Sequence, residues 1–512
     1  MRSAVLLRRG CYQDSARLMQ VSRELSARDG IVEAVAMMGT ETNRRLLADA
    51  GFTGGGIDDA TPLDMVVGLR ASSDEALEAA RAALDGLLAG GAAAGPARGA
   101  AEARPGTVTE ALEAHPGANL VSVAVPGPYA AFVAHRALDA GRSVFLFSDN
   151  VSLEDEVALK ERAAGLGLLV MGPDCGTAIL SGVGLGFANR VDRGPVGIVG
   201  ASGTGIQELS CLLDRLGVGV SHAIGTGSRD LSEAVSGRMT EAGLALLAKD
   251  PATACVAVVA KHPADSVAGR LHGLLASLGK PVVVRYLGEG RRGLVDGVLY
   301  AGSIDEAAET AARWSGVSPP RPPESPSDKS QTMSFDVRGG TRLVGLFGGG
   351  SLAAEARQVL RARGIATHVP EARLVPGAPL PPGNLVVDTG DDAYTVGRPH
   401  PMVDQTVRCE LVRAAGSDPS VRILLLDLVL GDGAHPDPAP EIAAAVVAAR
   451  AARVDRPLSV LASVCGARRD PQGTARQEEA LRHSGIRVEP SAALAAAQAA
   501  DLVPLSWIEA AR

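Results

Sequence analysis

Apolar residues occur along most of the chain in short runs, separated by segments with helical spacing. Beyond residue 190 these runs predict two series of strands. The predicted strands are Val196–Val199, Val218–Ala223, Cys255–Ala260 and Pro281–Tyr286, followed by Leu343–Phe347, Ala366–Val369, Asn384–Asp388, Val421–Leu430 and Leu458–Ser463. Ile423–Leu426 is apolar at every position, which fits a strand covered on both faces. Strands alternating with helices in this way indicate parallel, doubly wound α/β sheets.

The first 190 residues repeat this alternation in two smaller units. Strands at Leu120–Val125, Ser143–Phe147 and Leu168–Met171 predict a further doubly wound sheet. Nearer the N-terminus, β-like runs at Ala4–Leu7, Ile31–Met37 and Met65–Leu69 alternate with helical patterns, which suggests a small unit of split βαβ type. The low-complexity stretches Leu88–Pro105 and Gly316–Gly340 are typical of linkers.

Composition excludes several classes of protein. The 512 residues are 46% hydrophobic and 21% charged, which is ordinary for a multidomain globular protein. A net charge of −8 and an aromatic content of 3% disfavour nucleic acid as a partner. The six widely spaced cysteines form no CxxC or Cys/His cluster, which indicates a reduced compartment and no structural metal. Apolar runs of about ten residues are shorter than the ~20 that a membrane span needs, and no secretion signal is evident, so a cytoplasmic protein is expected.

Two strands of the later part run into similar glycine turns. Val196–Thr204 is followed by Glu208, and Val344–Ser351 is followed by Glu355 at the corresponding place. The similarity suggests an internal repeat whose two glycine turns face a shared cleft.

Each glycine turn leads into a helix, and a helix N-terminus is suited to bind an anion. Unpaired amides of the first turn and the helix dipole both favour a phosphate, and hydroxyl groups can add hydrogen bonds. The predicted phosphate or substrate contacts are Ser202, Gly203, Thr204, Gly205, Gly349, Gly350 and Ser351. The alternative is that Ser202 or Thr204 only caps its helix and the glycines only form a tight turn.

Further loops follow other strands, and ligands of open α/β sheets bind at the carboxyl ends of strands. One loop, Met171–Thr177, carries Asp174 and Cys175 and is expected to open a further helix or anion-binding nest. Another, Asp388–Asp392, carries Gly390 and Asp391. All four residues are predicted site residues. An exposed Cys175 thiolate would be a nucleophile, although the sequence shows nothing that would lower its pKa.

Three basic side chains are further candidates. His400 lies between two prolines and follows Arg398 closely, so both are predicted to act on substrate, His400 as acid, base or anion contact. An ordinary surface loop is the alternative. Lys261 ends a predicted strand and is one of only five lysines in the chain, where it either contacts substrate or is a solvated strand end.

The order of these motifs resembles a known family. Residues Thr107–Tyr286 look like the α subunit of succinyl-CoA synthetase, through Val123–Tyr129, Met171–Cys175 and Gly197–Thr204. From Leu343 onwards the chain resembles the carboxyl-terminal domain of the β subunit. The segments Ala223–Asp230 and Val396–Met402 further identify the chain as a member of the FdrA-like group of that superfamily.

The resemblance implies several doubly wound parallel-sheet domains. They are a small α/β domain over residues 1–90 (ferredoxin- or ACT-like), a Rossmann-like domain resembling the CoA-binding domain over 106–190, a flavodoxin-like ligase-type domain over 191–315, a Pro/Ser-rich linker over 316–340, and a second flavodoxin-like ligase-type domain over 341–512.

Departures from the family pattern limit the function that the resemblance implies. The N-terminal segment has no glycine fingerprint for CoA, Leu287–Gly293 lacks the family's phosphohistidine, and only a linker separates the two ligase-type domains, where an ATP-grasp domain would be needed. What remains is the phosphate cleft.

The FdrA-like group implies a part in purine and allantoin nitrogen catabolism as a subunit of an oxamate carbamoyltransferase. We therefore expect a carbamoyl or acyl transferase subunit that uses phosphate or an acyl phosphate as ligand, with companion subunits or self-association. One alternative is an acyl-CoA (acid–thiol) ligase that works with a separate ATP-grasp subunit and binds CoA by another route. The other is a regulatory or scaffolding subunit.

Overall fold

A computed structural model describes residues 2–13, 15–26, 28–90, 105–288, 291–317, 342–395, 399–453 and 457–503. It divides into two compact units, Met1–Gly106 with Thr395–Asp404, and Thr107–Tyr394 with Gln405–Arg512. Most of both predicted linkers lies outside the described residues.

The first unit contains a three-stranded antiparallel sheet. Its elements are β1 (Arg2–Arg8), α1 (Ser15–Ser26), β2 (Ile31–Met38), α2 (Glu41–Asp49), a 3₁₀ turn (Ile57–Asp59), β3 (Met65–Ala71) and α3 (Asp74–Gly90). Strand β3 lies between β1 and β2 and pairs antiparallel with both, which confirms the split βαβ arrangement. Apolar clusters cover both faces of the sheet. Gly68 of β3 leaves space for the Phe52 ring, whose nearest atom would be 2.8 Å from a Cβ there.

The second unit begins with a small parallel sheet. Its elements are α4 (Val108–Ala114), β4 (Leu120–Val123), α5 (Gly127–Asp139), β5 (Ser143–Leu146), α6 (Leu153–Leu166) and β6 (Val170–Met171). The strand order is β4-β5-β6, and both pairings are parallel, as the alternating pattern predicts.

An eight-stranded sheet follows. Its elements are β7 (Thr177–Leu180), β8 (Val183–Gly186), β9 (Val196–Gly200), α7 (Gly203–Arg215), β10 (Val220–Gly225), α8 (Arg238–Lys249), β11 (Cys255–Lys261), α9 (Asp265–Ala276), β12 (Val282–Leu287), β13 (Gly293–Val295), β14 (Val298–Tyr300) and α10 (Ile304–Trp314). The order is β13-β14-β12-β11-β9-β10-β7-β8. The expectation that Met171–Thr177 opens a helix is wrong, because Thr177 begins a strand that pairs with β10. Residues 177–186 therefore pair in this sheet and not in that of β4–β6.

The last part forms a five-stranded, wholly parallel sheet. Its elements are β15 (Arg342–Phe347), α11 (Gly350–Ala362), β16 (Leu385–Asp388), α12 (Asp392–Thr395), α13 (Thr406–Ser417), β17 (Val421–Val429), α14 (Pro438–Ala451), β18 (Ser459–Cys465), α15 (Thr474–His483), β19 (Arg487–Glu489) and α16 (Ala492–Asp501). The order is β16-β15-β17-β18-β19. Every residue of β17 is buried, which confirms the prediction for a strand covered on both faces. The predicted strand Ala366–Val369 is wrong, since only His368 forms an isolated bridge there.

The two larger sheets are linked by a reciprocal pair of glutamates. Glu208 of α7 accepts a hydrogen bond from the Ala492 amide at the start of α16, at 3.1 Å. Glu355 of α11 accepts one from the Ile304 amide at the start of α10, at 2.7 Å. Each glutamate thus satisfies a first-turn donor of the final helix in the other half of the repeat. This reciprocal arrangement supports the internal repeat inferred from the two glycine turns.

Candidate anion-binding site

The first glycine turn connects β9 to α7. A Cβ at Gly200 would lie 2.6 Å from the Ile206 side chain and 2.9 Å from the Val259 carbonyl oxygen, so the close approach of helix and strand requires glycine. Ser202 is the N-cap of α7, and its Oγ accepts a hydrogen bond from the Gly205 amide at 3.1 Å. The capping alternative therefore holds for Ser202, and the Gly205 amide is already satisfied.

The second glycine turn connects β15 to α11 and is closed by an internal carboxylate. The amides of Gly348 and Gly349 donate to the two oxygens of Asp427 at 2.7 and 2.9 Å. Arg408 donates to the same carboxylate at 2.6 Å, and Asp427 is fully buried. The prediction that the turn as a whole binds phosphate needs correction, because Asp427 already occupies the Gly349 amide.

The N-termini of α7 and α11 meet head to head. The Ser202 and Ser351 hydroxyls are hydrogen-bonded to each other. The Ser351 amide donates to Thr204 Oγ1 at 3.3 Å. The two glycine turns therefore lie at one place, as the repeat predicted, and the hydroxyl groups mainly join the two helices.

Three backbone donors remain at this junction. Gly203, Thr204 and Gly350 belong to the first turns, where amides have no intrahelical acceptor, and all three are partly exposed. Among the described residues none accepts a hydrogen bond from these three amides. The aligned dipoles of two helices add positive potential at the same point. The junction can therefore bind an anion through backbone groups alone.

The loop after β6 packs beside this junction. A Cβ at Gly203 would lie 3.7 Å from Thr177 Oγ1 and 3.9 Å from the Gly176 Cα. Cys175, one residue earlier, is buried, and its thiol lies 3.4 Å from the Gly225 carbonyl oxygen. Burial raises the pKa of the Cys175 thiol to about 12. The alternative of an exposed thiolate nucleophile is therefore wrong.

Asp174 is a titratable group of this loop. Burial, and next the negative charge of Asp149, raise the pKa of its carboxyl to about 6, although a hydrogen bond with Ser228 opposes the shift. Asp392 raises the pKa further and Lys261 lowers it, so both also lie within electrostatic range. Asp174 therefore changes its charge near neutral pH, as an acid or base must.

Asp388 lies against the start of α11. It is not among the site residues predicted from the sequence. A Cβ at Gly350 would be 2.4 Å from one of its carboxylate oxygens. Burial raises the pKa of Asp388 to about 6, despite a hydrogen bond from the Gly390 amide at 2.8 Å, and the neighbouring Asp427 adds to the increase. Of the two residues predicted here, Gly390 thus uses its amide on Asp388, while Asp391 accepts from the Ala393 amide at 3.0 Å.

The structure does not test the two predicted catalytic residues. Arg398 is outside the described residues. His400 belongs to the first compact unit, whereas the glycine turns belong to the second. Its Nδ1 accepts from the Met402 amide at 3.1 Å, and its carbonyl accepts from Val403. The roles of His400 and Arg398 on substrate stay predictions.

One signal for the missed Asp427 was available in the sequence. It is the only charged residue in the otherwise apolar run Ile423–Leu430. A buried charge needs a partner, and here Arg408 and two backbone amides supply it. No pattern identified Arg408, since it lies on α13, 19 residues before Asp427, and the contact depends on how that helix packs on the sheet.

Neither a metal site nor a membrane span is found in the described part of the chain. Among the described residues, no group of at least three His, Cys, Asp or Glu side chains could hold a metal ion. No helix described is long and apolar enough to cross a bilayer.

The parallel sheet that carries the second glycine turn belongs to a CoA-ligase-like domain. Residues 346–502 match the CoA-ligase family, and residues 1–105 match the AllF heavy metal-associated domain. The Escherichia coli K12 protein YahF is 35% identical over 495 residues, which are 94% of this chain and 95% of YahF. The chain belongs to the family of YahF.

The solved structures to which the chain is similar include an acetyl-coenzyme A synthetase and an ATP citrate lyase. The dinucleotide-forming acetyl-coenzyme A synthetase 1 of Ca. Korarchaeum cryptofilum is 19% identical, with 77% of this chain and 85% of that chain covered and a TM-score of 0.28. The ATP citrate lyase of Methanothrix soehngenii, in complex with citrate and coenzyme A, is 19% identical, with 42% and 38% covered and a TM-score of 0.32.

Proposed function

We propose that this chain is an FdrA-like enzyme subunit that transfers a carbamoyl or related acyl group to or from phosphate. The observation that supports it best is the head-to-head junction of α7 and α11, with three available first-turn amides and two carboxyl groups of raised pKa beside it. In the oxamate carbamoyltransferase reaction, phosphate and carbamoylated oxamate would give carbamoyl phosphate and oxamate.

In this proposal the amides of Gly203, Thr204 and Gly350 bind phosphate at the junction. A phosphate oxygen forms a bond to the carbamoyl carbon, and the bond from that carbon to the oxamate nitrogen breaks. The leaving nitrogen needs a proton, which Asp388 supplies, because its raised pKa keeps part of it protonated near neutral pH, and the hydroxyl proton that the attacking hydrogen phosphate loses restores the carboxyl. Backbone donors that are fixed before the reaction hold the phosphate in position for attack on the carbamoyl carbon.

The remaining predicted residues take supporting roles. Ser202 and Ser351 fix the two helices relative to each other, and Asp174 and Asp391 are retained as proposed substrate contacts. Arg398 and His400 are retained as proposed contacts of the substrate carboxylate. Companion subunits encoded beside this chain complete the enzyme.

The second candidate is an acid–thiol ligase that binds CoA and works with a separate ATP-grasp subunit. The match of residues 346–502 to the CoA-ligase family favours it. Titration calorimetry with CoA separates the two candidates, because the transferase predicts no specific CoA binding. If a complex that contains the Gly203→Pro variant keeps full activity, a regulatory or scaffolding subunit is favoured instead.

The experiment is phosphorolysis of carbamoyl-oxamate by the full chain, alone and with the proteins encoded beside it. Gly203→Pro tests the junction, because proline is tolerated at the first helical position yet lacks the N–H that would bind phosphate. Ser202 has φ −158° and ψ 109°, which suits a residue before proline. The matched control Gly203→Ala keeps the N–H, and its Cβ finds ordinary contact distances.

We expect Gly203→Ala to retain activity and Gly203→Pro to raise the KM for phosphate about tenfold or more, the effect of losing a hydrogen bond to a charged group. Absence of phosphorolysis in every combination of subunits would contradict the transferase. Equal KM values for phosphate in the two variants would show that the Gly203 amide does not bind phosphate.

A further inference from the structure

The register of the eight-stranded sheet brings Lys261 to the carboxyl end of the sheet, where α7 begins. Val259 of β11 pairs with Gly200, the residue at which β9 enters the first glycine turn. Lys261 is two residues further on and pairs with Leu287. A Cβ at Gly205 would lie 2.9 Å from the Val259 side chain, so Val259 faces α7. Because side chains alternate along a strand, Lys261 lies on the same face, beyond the sheet edge where α7 begins.

The ammonium group of Lys261 is available to an incoming ligand. Lys261 is exposed, whereas the rest of β11 is buried. It makes no hydrogen bond or ion pair with any residue in the described parts of the chain. The ammonium groups of two other lysines are bonded within the protein. That of Lys160 donates to Glu156, Asp230 and the Thr226 carbonyl. That of Lys280 donates to two carbonyl oxygens.

The positive charge of Lys261 compensates for negatively charged carboxylates near the junction. Its electrostatic influence reaches Asp174, which lies among the further carboxylates Asp149 and Asp392. Asp388 adds another carboxyl beside Gly350. Backbone amides alone would have to hold a phosphate dianion in the presence of these carboxylates, and nearby like charges weaken anion binding. A nearby ammonium group offsets part of that repulsion.

We propose that Lys261 is the side-chain cation of the anion site, where its ammonium group pairs with a phosphate or phosphate ester bound to the amides at the junction of α7 and α11. The inference rests on the proposed function for the identity of the ligand, but it concerns binding and not turnover.

The first test uses pyridoxal 5′-phosphate, an aldehyde that carries a phosphate group. The aldehyde condenses with a lysine amine to an imine with loss of water, and borohydride reduces the imine to a stable secondary amine. Labelled lysines in the full chain are then counted by peptide mass spectrometry. We expect Lys261 to be labelled at least about tenfold faster than the exposed Lys249, the gain from binding the phosphate first. Inorganic phosphate should protect it, and pyridoxal without phosphate should show no preference.

Labelling of Lys261 at the rate of Lys249, or without protection by phosphate, overturns the inference. Because labelling needs no turnover, this test of Lys261 remains valid whether or not carbamoyl transfer occurs. Failure of phosphorolysis with intact labelling would remove the proposed reaction but keep the anion site.

The second test measures phosphate affinity by calorimetry. We expect Lys261→Met to weaken binding about tenfold, Lys261→Arg to bind within about threefold of the natural protein, and Lys249→Met to have no effect. A role in folding alone would leave phosphate affinity unchanged in a folded Lys261→Met protein. Affinity equal to that of the natural protein in Lys261→Met therefore contradicts the proposal.

Discussion

Asp388 combines two properties that bear on anion binding, its place beside Gly350 and its raised pKa. Above a pH of about 6 the carboxyl is ionised and repels an anion at the junction, and below that pH it is neutral. The repulsion that Asp388 exerts on bound phosphate should therefore disappear as the pH falls through about 6. In Asp388→Asn the side chain is neutral at every pH, so this part of the pH dependence should vanish.

We predict that Asp388→Asn binds phosphate about tenfold more tightly than the natural protein at high pH, where one charge repulsion is lost. The same variant should lose turnover, because its amide cannot supply the proton. Calorimetry from pH 5 to 8 together with kcat measures both effects. Asp501→Asn, at the far end of α16, is the control. Unchanged affinity in Asp388→Asn at pH 8 would place the anion elsewhere.

The buried pair of Arg408 and Asp427 closes the second glycine turn. Removing one member of a buried ion pair leaves an uncompensated charge and costs about 3–5 kcal/mol. We predict that Arg408→Met lowers the free energy of unfolding by about that amount. The exposed pair of Arg363 and Asp501 is the control, since Arg363→Met should cost less than about 1 kcal/mol. Equal losses in denaturant titrations would contradict a special role for the buried pair.

Helices α7 and α11 carry the reciprocal glutamates in their interiors. Burial raises the pKa of Glu208 to about 7, with a further contribution from the negative charge of Asp305. The folded state therefore binds a proton that the unfolded state releases at the ordinary glutamate value. Stability should fall as the pH rises from about 4.5 towards 7, and the loss persists above that range.

Glu208→Gln tests this arrangement. Glutamine keeps an acceptor for the Ala492 amide but has no charge to bury, so we predict a higher Tm than the natural protein at pH 8 and no difference below pH of about 4.5. Thermal unfolding across this pH range measures it, and the exposed Glu479→Gln is the matched control. A lower Tm for Glu208→Gln at pH 8 would show that the charge itself stabilises the contact with α16.

Secondary structure and the paired glycine turns could be predicted because each is encoded in local spacing. The apolar run of β17 and the strand–turn–helix segments at Gly200 and Gly348 are examples. The burial of Cys175 and the pairing of β7 with β10 could not, since both depend on contacts between segments distant in sequence. The apolar spacing at Ala366–Val369 suggested a strand, but apart from the bridge at His368 no neighbour pairs with it.

At the scale of the whole molecule, the two larger sheets are expected to unfold together. Besides the reciprocal glutamates, Asp214 pairs with Arg468, and Cys211 and Cys465 lie 3.9 Å apart across the two halves of the repeat. These contacts join the two halves of the repeat. Breaking either half removes first-turn partners from the other.

Thiol reactivity reports on this cooperativity, because five of the six cysteines are buried and Cys11 is not fully buried. We predict that Cys11 alone reacts quickly with iodoacetamide in the native protein. With rising guanidinium, Cys211 and Cys255 of one half should become reactive at the same midpoint as Cys409 and Cys465 of the other. Peptide mass spectrometry after pulsed labelling measures the midpoints. Two separate midpoints would show that the halves unfold independently.

The reciprocal glutamates have a consequence for the history of such a chain. A gene break between residues 317 and 342 would yield two polypeptides, each of which would carry a terminal helix whose first-turn partner resides on the other. Each polypeptide alone would have an unpaired first-turn amide in its last helix, and the glutamate of the other polypeptide would be the matching acceptor. Fusion and fission of the two halves would therefore preserve the same junction of α7 and α11, whether it forms within one polypeptide or at a subunit interface.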